Sequence, residues 1–100
     1  MIKGKHIVIT GTLLFYKRNE AFIQILCRGG IPQNSVTKKT DYLVIGYYRN
    51  GVLDGKKSNK QILAEKYIKD GKNIKMITGD EFIATLWKAP VLQDYTKSSK

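Results

Sequence analysis

Short apolar runs alternate along the chain with amphipathic stretches, and glycines punctuate the joins. His6-Ile7-Val8-Ile9-Thr10 is a β-branched run ended by Gly11, and Tyr42-Leu43-Val44-Ile45 is a second, ended by Gly46. Runs this short and this apolar predict strands buried on both faces, as in a parallel sheet beneath helices. Between them, Arg18 to Arg28 puts Ala21, Phe22, Ile25 and Leu26 on one helical stripe. Asn19 or a neighbour is the expected N-cap, and Gly29-Gly30 the left-handed stop. Ile31 begins a short strand that Pro32 confines to the sheet edge.

Asn34 to Asp41 is polar and reads as a turn region. It must cross over if the strands on either side are to stay parallel. Tyr47 to Lys57 is the longest irregular stretch, broken by Gly51 and Gly55. Ser58-Asn59-Lys60-Gln61 fits a capping box. It opens a helix to about Lys69, with Leu63, Ala64, Tyr67 and Ile68 inward and Asp70-Gly71 at its end. Ile74 to Ile77 is the last expected strand. Thr78-Gly79-Asp80-Glu81 is a second capping box, leading a helix to about Lys88 that buries Phe82, Ile83 and Leu86 before Pro90. The order β-α-β-β-α-β-α predicts an α/β fold with a mainly parallel sheet. Ile7, Ile9, Leu43 and Ile45 should be buried, with Phe22, Leu63 and Phe82 packed over the sheet. One domain is expected over residues 1–90, with 91–100 as a flexible basic tail.

Charge changes the picture more than size does. Lys+Arg number 18 against Asp+Glu 8, a formal net charge of +10 in 100 residues and a pI near 9.8. Such an excess favours an anionic partner: nucleic acid, phosphoprotein or an acidic surface. Cys27 is the single cysteine, so no internal disulfide can form; its helical, apolar setting favours packing over nucleophilic chemistry. One histidine, His6, supports neither a metal cluster nor a Ser-His-Asp set. No phosphate-binding P-loop or dinucleotide fingerprint is present, so no catalysis and no cofactor are expected. No apolar stretch approaches the ~20 residues of a membrane span, and nothing resembles a signal peptide, so no membrane association is expected.

Several stretches together resemble the BRCT domain. They are Gly4-Lys5-His6-Ile7-Val8-Ile9-Thr10-Gly11, Gly29-Gly30, Ser35 through Val44, Lys57-Ser58-Asn59-Lys60, and Ile77-Thr78-Gly79-Asp80-Glu81-Phe82. The likeness covers about residues 3 to 87. It is greatest to the BRCT domains of bacterial NAD-dependent DNA ligases and of the eukaryotic clamp loader's large subunit. The resemblance implies a four-stranded parallel sheet in the order 2-1-3-4, with helices one and three on one face and helix two on the other. Phe82 stands where many members carry tryptophan, a substitution common in the ligase-like branch. Trp87, further along, is expected against the helix end.

The resemblance also implies a site. Members that bind phosphate use a Ser or Thr and the next Gly after strand one, with a Lys from the start of helix two; Thr10, Gly11 and Lys60 match. Arg18 matches an arginine that contacts a DNA 5′-phosphate in the clamp-loader type. Read alone, Thr10-Gly11 is a turn, and Arg18 and Lys60 are solvated cations. Together they suit a dianion: a hydroxyl, a backbone N–H and two cations near a helix N-terminus. Lys17, Lys38, Lys39, Lys56 and Lys57 are candidate DNA-backbone contacts, against a role as solvated turn residues. Thr37 and Asp41 are expected to satisfy backbone groups. Tyr47 and Tyr48 either stack on bases or cover the sheet edge. Two function classes follow. The first is a non-catalytic DNA-binding module for a 5′-phosphorylated end or nick, in replication or repair. The second is a phosphopeptide-binding or homodimerising interaction module. Either implies a cytoplasmic, nucleoid-associated setting in a bacterium, or a nuclear one in a eukaryote.

Overall fold

A computed structural model of the chain describes residues 2–47 and 59–92. Four strands, β1 (His6–Thr10), β2 (Ile31–Gln33), β3 (Tyr42–Ile45) and β4 (Lys75–Thr78), form one parallel sheet in the order β2-β1-β3-β4. Three helices, α1 (Arg18–Cys27), α2 (Asn59–Lys69) and α3 (Gly79–Lys88), connect or follow them. The α/β class and the 2-1-3-4 order agree with the expectation from sequence. Register is continuous across the centre, with Val8 beside Leu43 and Leu43 beside Met76.

Strand alternation divides the core into two layers. Ile7, Ile9 and Val44 pack with Ala21 and Ile25 of α1 and with Phe82, Ile83 and Leu86 of α3. Val8 and Leu43 pack on the opposite face with Val36, Ala64 of α2 and Ile74. Helices one and three therefore cover one face and helix two the other. Ile45, Phe22 and Leu63 are half-buried, each at the margin of its layer.

Several boundaries and faces differ from the sequence reading. Lys17, not Asn19, caps α1: its backbone is extended and its N–H donates to Glu20 Oε1 at 2.8 Å. Asn19 falls one residue inside the helix. Leu26 turns to solvent because the inward stripe runs from Ala21 and Ile25 to Arg28. Arg28 is buried and closes two helix ends at once. Its Nε donates to the Leu86 carbonyl at 2.7 Å, and its Nη1 to the carbonyl and Oε1 of Gln24. Ile68 is likewise exposed, since α2 rests on the sheet through Ala64 with Leu63 and Tyr67 at its flanks. β4 starts one residue late, at Lys75, whose N–H donates to the Asp41 carbonyl; Ile74 is buried just before it.

The stops behave as predicted. Gly29, at φ 82°, lets the N–H groups of Gly29 and Gly30 reach the carbonyls of Leu26 and Ile25. Thr78 both ends β4 and caps α3. Its hydroxyl accepts from the Glu81 N–H at 3.1 Å while Glu81 Oε1 accepts from the Thr78 N–H at 3.0 Å. The Thr78 backbone bond, and then its hydroxyl, hold the Glu81 carboxyl below its ordinary value of 4.5. A depressed carboxylate adds stability above the ordinary value and loses it as pH falls through its own, lower pKa. Thr78→Ala should cost about 1 kcal/mol in thermal or chemical denaturation at neutral pH, and should move Glu81's titration only part of the way up, since the Thr78 N–H that lowers it most remains. An unchanged stability would remove the Thr78 cap from the account. The expected cap Ser58 lies outside the described residues, as does 93–100 of the expected tail; at Leu92 the N–H still donates to the Cys27 carbonyl.

Candidate phosphate-binding site at the carboxyl end of the first strand

All four strands point their carboxyl ends the same way, and open α/β sheets hold ligands at that edge. Here β1 runs out at Thr10. Gly11, at φ 80°, then turns the chain, and Thr12 and Tyr47 exchange backbone hydrogen bonds at 2.7 Å in both directions. The backbones pass so closely that a Cβ on Gly11 would meet the Tyr47 carbonyl oxygen at 2.9 Å. A Cβ on Gly46 would meet the Thr12 oxygen at 2.5 Å. Glycine at both positions is therefore a requirement of the crossing.

Alternation places Thr10 with Val8 on the α2 face, and Thr10 is buried. From that face Lys60, in the first turn of α2, extends over the edge, and its Nζ donates to the Ile9 carbonyl at 3.0 Å. Burial first, and then the positive charge of Arg18, hold the Lys60 pKa below its ordinary 10.5. Among the described residues, the charge that acts on this ammonium is thus another cation, supplied by the first residue of α1. An ammonium has three donors, so the bond to Ile9 leaves it capacity for an anion. Ile9, Gly11, Thr12, Leu13, Tyr16, Lys17 and Arg18 line an open depression at this edge. Gly11, Lys17 and Arg18 thus share that depression, while Thr10 is buried on the α2 face and Lys60 reaches the end of β1 from the α2 side.

The other candidate contacts are placed differently. Lys38 and Lys39 are exposed in the turn that enters β3, and Asp41 in that turn donates its N–H to the His6 carbonyl. They therefore lie toward the opposite, amino end of the sheet. Lys56, Lys57 and Tyr48 lie outside the described residues. Tyr47 is held to α3, its hydroxyl donating to Asp80 at 3.0 and 3.1 Å, which raises the phenol's pKa. Thr37 and Asp41 satisfy backbone groups, as expected: Thr37 Oγ1 accepts from Lys39, and Asp41 Oδ2 from His6 at 2.8 Å. The His6 ring also lies 3.4 Å from Asp41. Trp87 packs on Phe15 of the loop after β1 instead of on the end of α3. The sequence reading did not anticipate that pair, since nothing in helical spacing ties a surface tryptophan to a distant loop. Among the described residues no group of three or more His, Cys, Asp or Glu is placed to hold a metal, and no helix is long and apolar enough to cross a membrane.

Similar proteins point in one direction. The chain is 38% identical over 66 residues to the DNA ligase of Phytoplasma mali, covering 65% of this chain and 10% of that protein. It is 53% identical over 45 residues to the DNA ligase of Roseiflexus castenholzii, and 50% identical over 46 to that of a Thermoanaerobacter species. Those matches cover 45% and 46% of this chain and 6% and 7% of the ligases. No family model matches. The chain thus resembles a small segment of bacterial DNA ligases and spans about a tenth or less of their length.

Proposed function

We propose that the chain is a BRCT-type domain that binds DNA without catalysis and holds the 5′-phosphate of an end or nick at the carboxyl end of β1. The observation that carries this is the position of Lys60: anchored on the Ile9 carbonyl, partly desolvated, with Arg18 as the charge acting on it. Two cations brought together cost energy until an anion separates their fields. A terminal phosphate carries nearly two negative charges and several acceptor oxygens, so it suits that gap better than an internal phosphodiester, which carries one. Similarity to DNA ligase segments supports DNA as the polymer bearing the phosphate.

The test is equilibrium binding to matched duplexes with and without a 5′-phosphate across a salt series. Affinity for both should fall steeply with salt, by a slope near −0.9 for each phosphate neutralised. The preference for the phosphorylated end should persist at every salt concentration, since it resides in a local, partly desolvated contact. A flat salt response would assign the cationic excess to solubility or a protein partner. A steep response without preference would leave a general DNA binder.

A further inference from the structure

Beside the phosphate site lies an aromatic surface that phosphate binding does not use. Phe15 and Trp87 are 63% and 59% exposed, and their rings meet at 5.4 Å and 50°. Leu14, next to them, is equally exposed. The pair is held in place from below. Leu13 is buried against the start of α3, and Trp87 Nε1 donates to the Tyr16 hydroxyl at 3.1 Å. With its N–H engaged, Trp87 offers solvent an apolar ring.

We infer that Phe15 and Trp87 form a stacking platform for the terminal base of the phosphorylated DNA end. The inference rests on the function proposed above and names a second element of the ligand. Position supports it. Phe15 is three residues from Arg18, so their Cα atoms are at most about 11 Å apart. Tyr16 is a shared wall: it lines the depression that holds Gly11 and Arg18, and a second one with Phe15, Glu20, Ile23 and Gln24. Charge supports a nucleic acid over an apolar protein face, because Lys17 and Arg18 follow Phe15 within three residues and the chain carries +10 overall. Glu20, the carboxylate in the second depression, is held by the Lys17 N–H. Exposed aromatic faces beside a cationic groove are how proteins hold bases without reading their sequence.

The test uses four duplexes: a normal or an abasic terminal nucleotide, each with and without the 5′-phosphate. Trp87 is the single tryptophan, so its fluorescence reports the platform alone. The wild type should bind base-bearing ends about tenfold more tightly than abasic ones, with Trp87 quenched by the former. Phe15→Ala should abolish that difference while leaving the ratio between phosphorylated and unphosphorylated ends intact, and Phe15→Trp should restore it. Equal affinity for base-bearing and abasic ends, or an unquenched Trp87, would overturn the inference even where the phosphate preference holds. Base dependence without phosphate preference would uphold the platform and remove the phosphate site instead.

Discussion

Replacing Phe82 with alanine is expected to destabilise the domain by about 3–5 kcal/mol. Phe82 is 1% exposed at the centre of the layer formed by α1, α3 and the sheet, against Ile7, Ile9 and Val44. Truncation removes an aromatic side chain and leaves a void that neighbours fill only partly. Phe82 also borders a depression of about 140 Å³, open to solvent, whose lining includes Ile2, Ile7, Tyr42, Lys75 and Glu81. A domain of this size has a total stability of about 5–15 kcal/mol, so the variant should approach the unfolding threshold. Urea denaturation checks it: the midpoint should fall sharply with the slope unchanged. The neighbouring inference from the same geometry is that Leu26→Ala, on the exposed side of α1, stays within about 0.5 kcal/mol. A Phe82→Ala loss that small would mean the layer is misassigned.

How much of this was legible beforehand depended on how local the cause was. Ile7-Val8-Ile9 and Leu43-Val44-Ile45 declared themselves as strands because burial on both faces leaves no polar position. Thr78 with Glu81, and Gly29-Gly30, declared helix ends because a cap is a local hydrogen-bond problem. Strand order was not local: it came from resemblance, since β1 pairs with β3 across more than thirty intervening residues. The exposure of Leu26 and Ile68 was missed for a similar reason. Helical spacing marks a stripe, but which side of it faces the sheet depends on Arg28 filling the space under Leu86, and on Ala64 setting the approach of α2. In the site, residue types pointed to Thr10, Gly11, Arg18 and Lys60. The chain could not reveal that Thr10 is buried, or that Lys60 spans the sheet edge to reach Ile9.

Lys60→Ala is expected to remove most of the preference for a 5′-phosphorylated end. A charge-assisted hydrogen bond contributes about 1.5–3 kcal/mol, which is tenfold or more in relative affinity. The fold should tolerate the change. The ammonium is a destabilised charge, partly desolvated beside Arg18, and the carbonyl it leaves is at an open edge. The pH dependence has a definite sign. An anion favours the protonated amine, so preference should be full at neutral pH and decline as pH climbs through Lys60's lowered pKa, before the ordinary lysine value of 10.5. In the free domain the sign reverses. The unfolded chain holds that proton more tightly, so stability should rise over the same interval.

The central claim is that the edge beyond β1 distinguishes a terminal phosphate from the rest of the DNA backbone, and the ratio of affinities for matched phosphorylated and unphosphorylated duplexes tests it most directly. That ratio should be about ten or more for the wild type and fall close to one for Lys60→Ala. Lys38→Ala, at the opposite end of the sheet, should weaken binding to both duplexes alike and leave the ratio at the wild-type value. A wild-type ratio of one, or a ratio that Lys60→Ala leaves unchanged, would contradict the account.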